Sequence, residues 1–148
     1  MINYLKIKYL FGVFILLLLS PATQAATWYA LAAPESISGA SVEVDIESLQ
    51  SQGDKRQLMT RITFPQPQKE QNISFQSVIA ELEISCSTNQ DIWKSINFFL
   101  NSGAEGKPLS SVNFGPDGIS IRVLKMLPEK TWVTLQRGTC GRNATLFP

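Results

Sequence analysis

Acidic residues at every second position are the first groups in this sequence whose spacing could do chemistry. Glu43, Asp45 and Glu47 recur with period two, as do Glu81 and Glu83. On a strand that spacing puts each set on one face, where it could bind a cation. With carboxyls about 5 to 9 Å apart around a cleft, it could act on a sugar. The same alternation also makes the solvated face of an amphipathic strand, with Val42, Val44 and Ile46 opposite, and nothing else in the chain strengthens the catalytic reading. There is no histidine, which removes the usual zinc sites and catalytic triads. No Gly-x-Ser-x-Gly elbow occurs, no serine is followed three positions later by lysine, and no calcium loop or phosphate-binding glycine motif is present. The expectation is a non-enzyme with no catalytic residue, no metal ligand and no cofactor.

Cys86 and Cys140 are the only two cysteines. A reactive thiol or a redox pair is one possibility, but redox pairs usually sit as Cys-x-x-Cys near a helix start. In an exported chain, an even cysteine count points instead to a structural disulfide. A bridge spanning 54 positions contributes about 4 kcal/mol in the loop-entropy description. The aromatic residues are the other candidates. Trp28, Trp93 and Trp132 are expected in the core. Adjacent Phe98 and Phe99 must point to opposite faces of a strand, so one of them could form an exposed contact patch unless a helix or loop covers it. Asn72-Ile73-Ser74 and Asn143-Ala144-Thr145 match the glycosylation sequon, which matters only in a eukaryotic secretory route.

The elements that must position these residues are mostly strands. Trp28 to Ala33 reads as a short strand ended by Pro34. Val42 to Glu47 follows, and then Leu58, Thr60, Ile62 and Phe64 alternate with Met59, Arg61 and Thr63 until Pro65. The Gln/Pro/Lys stretch from Pro65 to Gln71 reads as an exposed loop. Val78, Ala80, Leu82, Ile84 and Cys86 share one face, although their Ala-Glu-Leu-Glu composition also tolerates a helix. Ile96, Phe98 and Leu100 form the next strand. A hairpin loop over Asn101 to Lys107 leads to a return strand, Leu109 to Phe114. Gly115-Pro116-Asp117-Gly118 is a turn, and Ile119, Ile121 and Val123 make a further strand. The one helix begins near Pro128 and Glu129 and puts Trp132, Leu135 and Thr139 on one face, with Val133 and Cys140 beside it. Gly138 or Gly141 ends it. Sequential strands joined by short turns imply an α+β fold: a mainly antiparallel sheet, open to water on one face, with a C-terminal helix packed on the other.

The first 25 residues read as a targeting segment. Lys6 and Lys8 precede the apolar run Leu10 to Leu19, then Ser20 and Pro21, then small residues ending at Ala25, the parts of a secretory signal peptide. The apolar core is half the length a membrane span needs. Cleavage after Ala25 is expected, with Ala26 the next choice. It leaves 123 of the 148 residues as a single domain, 26–148, with 11 basic and 12 acidic side chains and no stable membrane anchor. Charged residues are 17% of the whole chain, below the roughly 25% typical of soluble domains. No basic excess steers it toward nucleic acid.

Taken together these residues resemble the bacterial surface-adhesin E family. The resemblance runs from Trp28 to Cys140. It comprises Thr27-Trp28-Tyr29, a hydrophobic-Asp-x-x-Ser pattern in Val44-Asp45-Ile46-Glu47-Ser48-Leu49, Gln76-Ser77 leading to Glu83-Ile84-Ser85-Cys86, a hairpin containing Gly106-Lys107, and a proline-led helix reaching Cys140. The resemblance implies an antiparallel sheet with a C-terminal helix, a Cys86–Cys140 bridge and an envelope protein without catalytic activity. It also implies adhesion through host extracellular-matrix or serum proteins, and it carries over no ligand-binding residue. The expected partner is a protein, reached from the cell surface or after secretion. A second expectation is a periplasmic inhibitor or envelope-maintenance factor with a protein partner inside the envelope.

Overall fold

Alternating apolar and polar residues become strands because each strand can then bury one face and leave the other to water. The computed structural model describes residues 26–31, 39–70, 72–88, 90–120 and 129–141. Expectations for residues 1–25, Pro34, Ile121, Val123, Pro128 and the sequon at Asn143 lie outside the described residues. Among the described residues the elements are β1 (Trp28–Ala30), β2 (Ser41–Gln52), β3 (Lys55–Glu70), β4 (Ile73–Ser85), β5 (Gln90–Phe99), β6 (Ser110–Asn113), β7 (Ile119–Ser120) and the helix α1 (Glu129–Cys140). Strands β1 to β6 form one antiparallel sheet in sequence order, and β7 continues along β5 beyond β6. The fold class is as the sequence implies, and the Ala-Glu-Leu-Glu stretch is strand.

One face of the sheet is the core. Val44, Ile62, Val78, Ala80, Leu82, Ile84 and Trp93 are fully buried on it, and Trp132 and Leu135 of α1 join the same cluster. Phe75 stacks edge-on against Phe64 at 5.8 Å and Phe98 at 4.9 Å. Burying one such side chain stabilises by about 1.5 to 3 kcal/mol, so the apolar run of β4 anchors the sheet. Cys86 follows β4 directly and is bridged to Cys140, the last residue of α1, with Cα atoms 5.4 Å apart. The bridge pins the end of the helix to the end of the central strand. The Gly141 N–H donates to the Arg137 carbonyl at 2.8 Å and closes the last turn. Gly138 lies inside the helix and is buried, so of the two glycines Gly141 marks the end.

Three register shifts break the ladders, and they account for most departures from the sequence pattern. The first lies between Asp45 and Gln50 in β2, and Asp45 is only 8% exposed. The acidic row is therefore not a uniformly solvated face. The second lies between Thr63 and Gln68 in β3. Pro65 and Pro67 sit in it, where a missing N–H costs no ladder bond. Hence Pro65 does not end the strand, and 65–70 is the exposed far half of β3, not a loop. The third lies opposite Glu81 and Leu82, where Lys94 is the extra residue of β5. Burial alternates from Gln90 to Lys94 and again from Ser95 to Phe98 with the opposite phase, because this bulge resets the faces. The first stretch is hidden in the sequence because Asp91 is the buried residue and Ile92 lies on the second face.

Candidate binding face

The second face of the sheet carries almost all the candidate residues, and strand register decides which of them meet. Trp28, Asp45, Met59, Glu81, Ser95 and Asn113 form one transverse row. Ala30, Glu43, Arg61, Ile79, Asn97 and Ser111 form the next. Arg61 is the hub. Its Nε donates to Glu43 Oε2 at 2.6 Å and its Nη2 to Glu43 Oε1 at 2.9 Å, a bidentate pairing that matches the guanidinium fork. The same guanidinium lies 4.7 Å from the Trp28 ring centroid, a cation–π arrangement. Trp28 is thus half-buried against Arg61 and outside the core, whereas Trp93 and Trp132 are core residues as expected.

A loop crosses one corner of this face, which is therefore not wholly open. Arg61 Nη1 donates to the Gly103 carbonyl at 3.3 Å and Thr63 Oγ1 to the Ser102 carbonyl at 2.8 Å. Buried Ser77 donates to the Asn101 carbonyl. Phe98 points into the core, while Phe99, its neighbour on the opposite face, lies in this corner at 6% exposure. Neither phenylalanine is an exposed contact patch. Asn101 closes the loop on itself, accepting from the Glu105 N–H and donating to the Glu105 carbonyl, both at 3.0 Å.

The acidic residues divide by strand. Asp45 accepts the Glu47 N–H at 3.1 Å inside the bulge. Ser48 Oγ donates to the Asp45 carbonyl and accepts the Met59 N–H at 2.8 Å, replacing a ladder bond with a side-chain one. The Asp-x-x-Ser spacing is therefore a bulge-forming device. Glu47 is exposed and accepts from Thr27 Oγ1 at 3.1 Å. Glu81 accepts from Gln57 and from Ser95 at 3.4 Å. Glu83 pairs with Lys55 at 2.8 Å and Lys94 at 3.9 Å. The Glu83 carboxylate holds the Lys55 ammonium above the ordinary lysine range. Both carboxylates of β4 project from one face two residues apart and are committed to neighbours, Glu81 to Gln57 and Ser95 and Glu83 to Lys55 and Lys94.

Below this lies a cluster that the sequence pattern does not reveal. Gly53 and Asp54 form the two-residue turn from β2 to β3, with Gly53 at φ 61. The Asp54 carboxylate accepts from Ser87 Oγ and from Ser85 Oγ at 2.8 Å. Those hydroxyls, Ser87 first, hold its carboxyl below the usual aspartate range. The Asp54 carbonyl accepts the Cys86 N–H at 2.9 Å. Asp54 thereby clamps both residues flanking Cys86 and positions the bridge. Its signal in the sequence is the Ser-Cys-Ser triplet, which reads as ordinary turn composition.

The sequence profile of surface-adhesin protein E matches residues 28–143. The chain belongs to the surface-adhesin protein E family. No curated protein matches it, and no solved structure does. The match opens at β1 and runs past the Cys140 end of the bridge, so this family unit takes in β1 to β7, the loop over the second face and α1. In this member of the adhesin E family, the Asp-x-x-Ser pattern, the Trp28–Arg61 stack and the bridge shape a sheet with one buried face and one polar face. Among the described residues, no group of three or more His, Cys, Asp and Glu side chains lies close enough to hold a metal ion.

Proposed function

We propose that this protein is an exported, non-enzymatic adhesin that binds host extracellular-matrix or serum proteins through the second face of its sheet. Residues 1–25 direct export and are removed after Ala25, and residues 26–148 act as one domain. Membership of the surface-adhesin protein E family carries the reading. The geometry agrees with it. The acidic pair on β4 that suggested catalysis is tied to lysine, glutamine and serine partners, leaving an extended polar surface suited to a macromolecule and not a single reacting group.

Location and capture test the proposal together. Intact expressing cells should expose the protein to external protease or antibody, or release it to the medium, and the purified protein should retain matrix or serum proteins. Protein shielded until the outer membrane is opened, with partners only in periplasmic extract, would overturn the adhesin reading in favour of an inhibitor or maintenance factor inside the envelope.

A further inference from the structure

Two hollows lie side by side on the second face, below the Arg61 hub. One, of about 300 Å³, is lined by Gln50, Gln52, Lys55, Gln57 and Glu83 together with Ser51. The other, of about 240 Å³, is lined by Lys55, Glu83, Ser85, Thr88, Gln90 and Ile92. They share Lys55 and Glu83, so they form one trough. Register shows how it is built: Gln52, Lys55, Ser85 and Gln90 make one transverse row, and Gln50, Gln57, Glu83 and Ile92 the next on the same face. Four strands at about 4.8 Å spacing make the trough roughly 14 Å across.

Its charges are paired with each other. Lys55 is bonded to Glu83 at 2.8 Å, and Lys94 approaches the other Glu83 oxygen at 3.9 Å. What remains is neutral: primary amides and hydroxyls. Among the described residues, the side chains of Gln50, Gln52 and Gln90 make no hydrogen bond within the protein. Each amide offers two donors and one acceptor with two lone pairs. That combination matches neighbouring hydroxyls, which donate and accept at once, better than it matches an anion or cation. Ile92 adds a small apolar surface at one end, of the kind the C–H face of a sugar ring can cover. An anion drawn to Lys55 would meet the Glu83 carboxylate 2.8 Å from the ammonium, and a cation drawn to Glu83 would meet Lys55, whereas a neutral polyhydroxylated ligand meets no like charge.

We infer that this trough is a binding site for a neutral oligosaccharide, such as those carried by host glycoproteins. The inference rests on the adhesin reading and names the chemistry that the polar face recognises. The test compares wild type with Gln52→Ala/Gln90→Ala, two exposed substitutions that remove no internal hydrogen bond. Each is applied to immobilised neutral and sulfated oligosaccharides, and to human plasma glycoproteins, intact and enzymatically deglycosylated. The wild type is expected to bind at least one neutral oligosaccharide and to retain intact glycoproteins better than deglycosylated ones. The double variant should bind about tenfold more weakly, as the loss of two hydrogen bonds predicts. Equal capture of intact and deglycosylated glycoproteins, preference for sulfated glycans, or binding indifferent to the double substitution would each overturn the trough while leaving the adhesin reading standing. No capture of any glycoprotein in either form would overturn the trough and, where no matrix protein is retained either, the adhesin reading as well.

Discussion

At the scale of single residues, this protein spends polar side chains on backbone groups that its own irregularities would leave unpaired. Ser48 is the clearest case. The bulge in β2 takes a ladder partner from the Met59 N–H, and the Ser48 hydroxyl replaces it at 2.8 Å while donating to the Asp45 carbonyl. Ser48→Ala leaves that N–H without its acceptor, and the expected loss is about 1 to 2 kcal/mol by chemical denaturation. An unchanged denaturation midpoint would mean that water replaces the hydroxyl at no cost. Arg61 holds Glu43 by a fork, lies on Trp28 and reaches a loop carbonyl, three roles that need a planar guanidinium. Lysine preserves the charge but not the plane. Arg61→Lys should therefore lower stability by roughly 1 kcal/mol, a modest figure because the pair is partly solvated. It should also enhance Trp28 accessibility to a fluorescence quencher, a change that retained stacking would not produce.

At the scale of elements, turns and bulges decide what alternation alone does not. The strands were legible because buried and solvated positions in β2, β3 and β4 alternate over several residues, and the helix because Trp132, Leu135 and Thr139 fall on one face. The bulges were not. One extra residue flips every later side chain, as Lys94 does within β5, and no local pattern announces it. The candidate face was still less legible: Gln50, Gln57 and Gln90 are ordinary solvent-side residues until register aligns them in rows. The Gly115–Gly118 turn was readable, yet its closest demand was not. Gly118 sits at φ 61, and a Cβ there would meet the Trp93 carbonyl at 2.7 Å. Gly118→Ala should cost about 1 to 2 kcal/mol for the left-handed conformation alone, with a further loss from the clash. A melting temperature equal to wild type would contradict that packing. The Asp54 turn gives a pH signature. Its carboxyl is depressed in the folded state by the Ser87 and Ser85 hydroxyls. It therefore adds stability above its unfolded value of 3.8, and this is lost as pH falls through the lower folded value. Asp54→Asn should flatten that part of the acid limb of the melting-temperature profile, whereas an identical acid limb would show that the hydroxyl bonds do not discriminate between charge states.

At the scale of the whole molecule, the sheet must keep its two faces distinct with α1 packed on one of them, and the Cys86–Cys140 bridge ties helix and sheet into that arrangement. The bridge joins the end of β4, whose apolar side chains lie at the centre of the core, to the last residue of α1, whose Trp132 and Leu135 complete it. It closes a span of 54 positions, so in the loop-entropy description it withdraws about 4 kcal/mol of conformational freedom from the unfolded chain. Asp54 and the serines around it hold the Cys86 side of the bridge from the opposite face. Cys86→Ser should consequently destabilise the protein by roughly 2 to 5 kcal/mol, with the loss concentrated in the docking of α1. Thermal unfolding of the mutant should match that of reduced wild type, and hydrogen exchange should accelerate in α1 before the central strands β3 and β4. The polar face lies on the other side of the sheet, so residual binding should fall with the folded fraction and no faster. A mutant as stable as oxidised wild type would show that core packing alone holds the helix, and a mutant that stays folded but loses binding would mean that the bridge shapes the binding face directly.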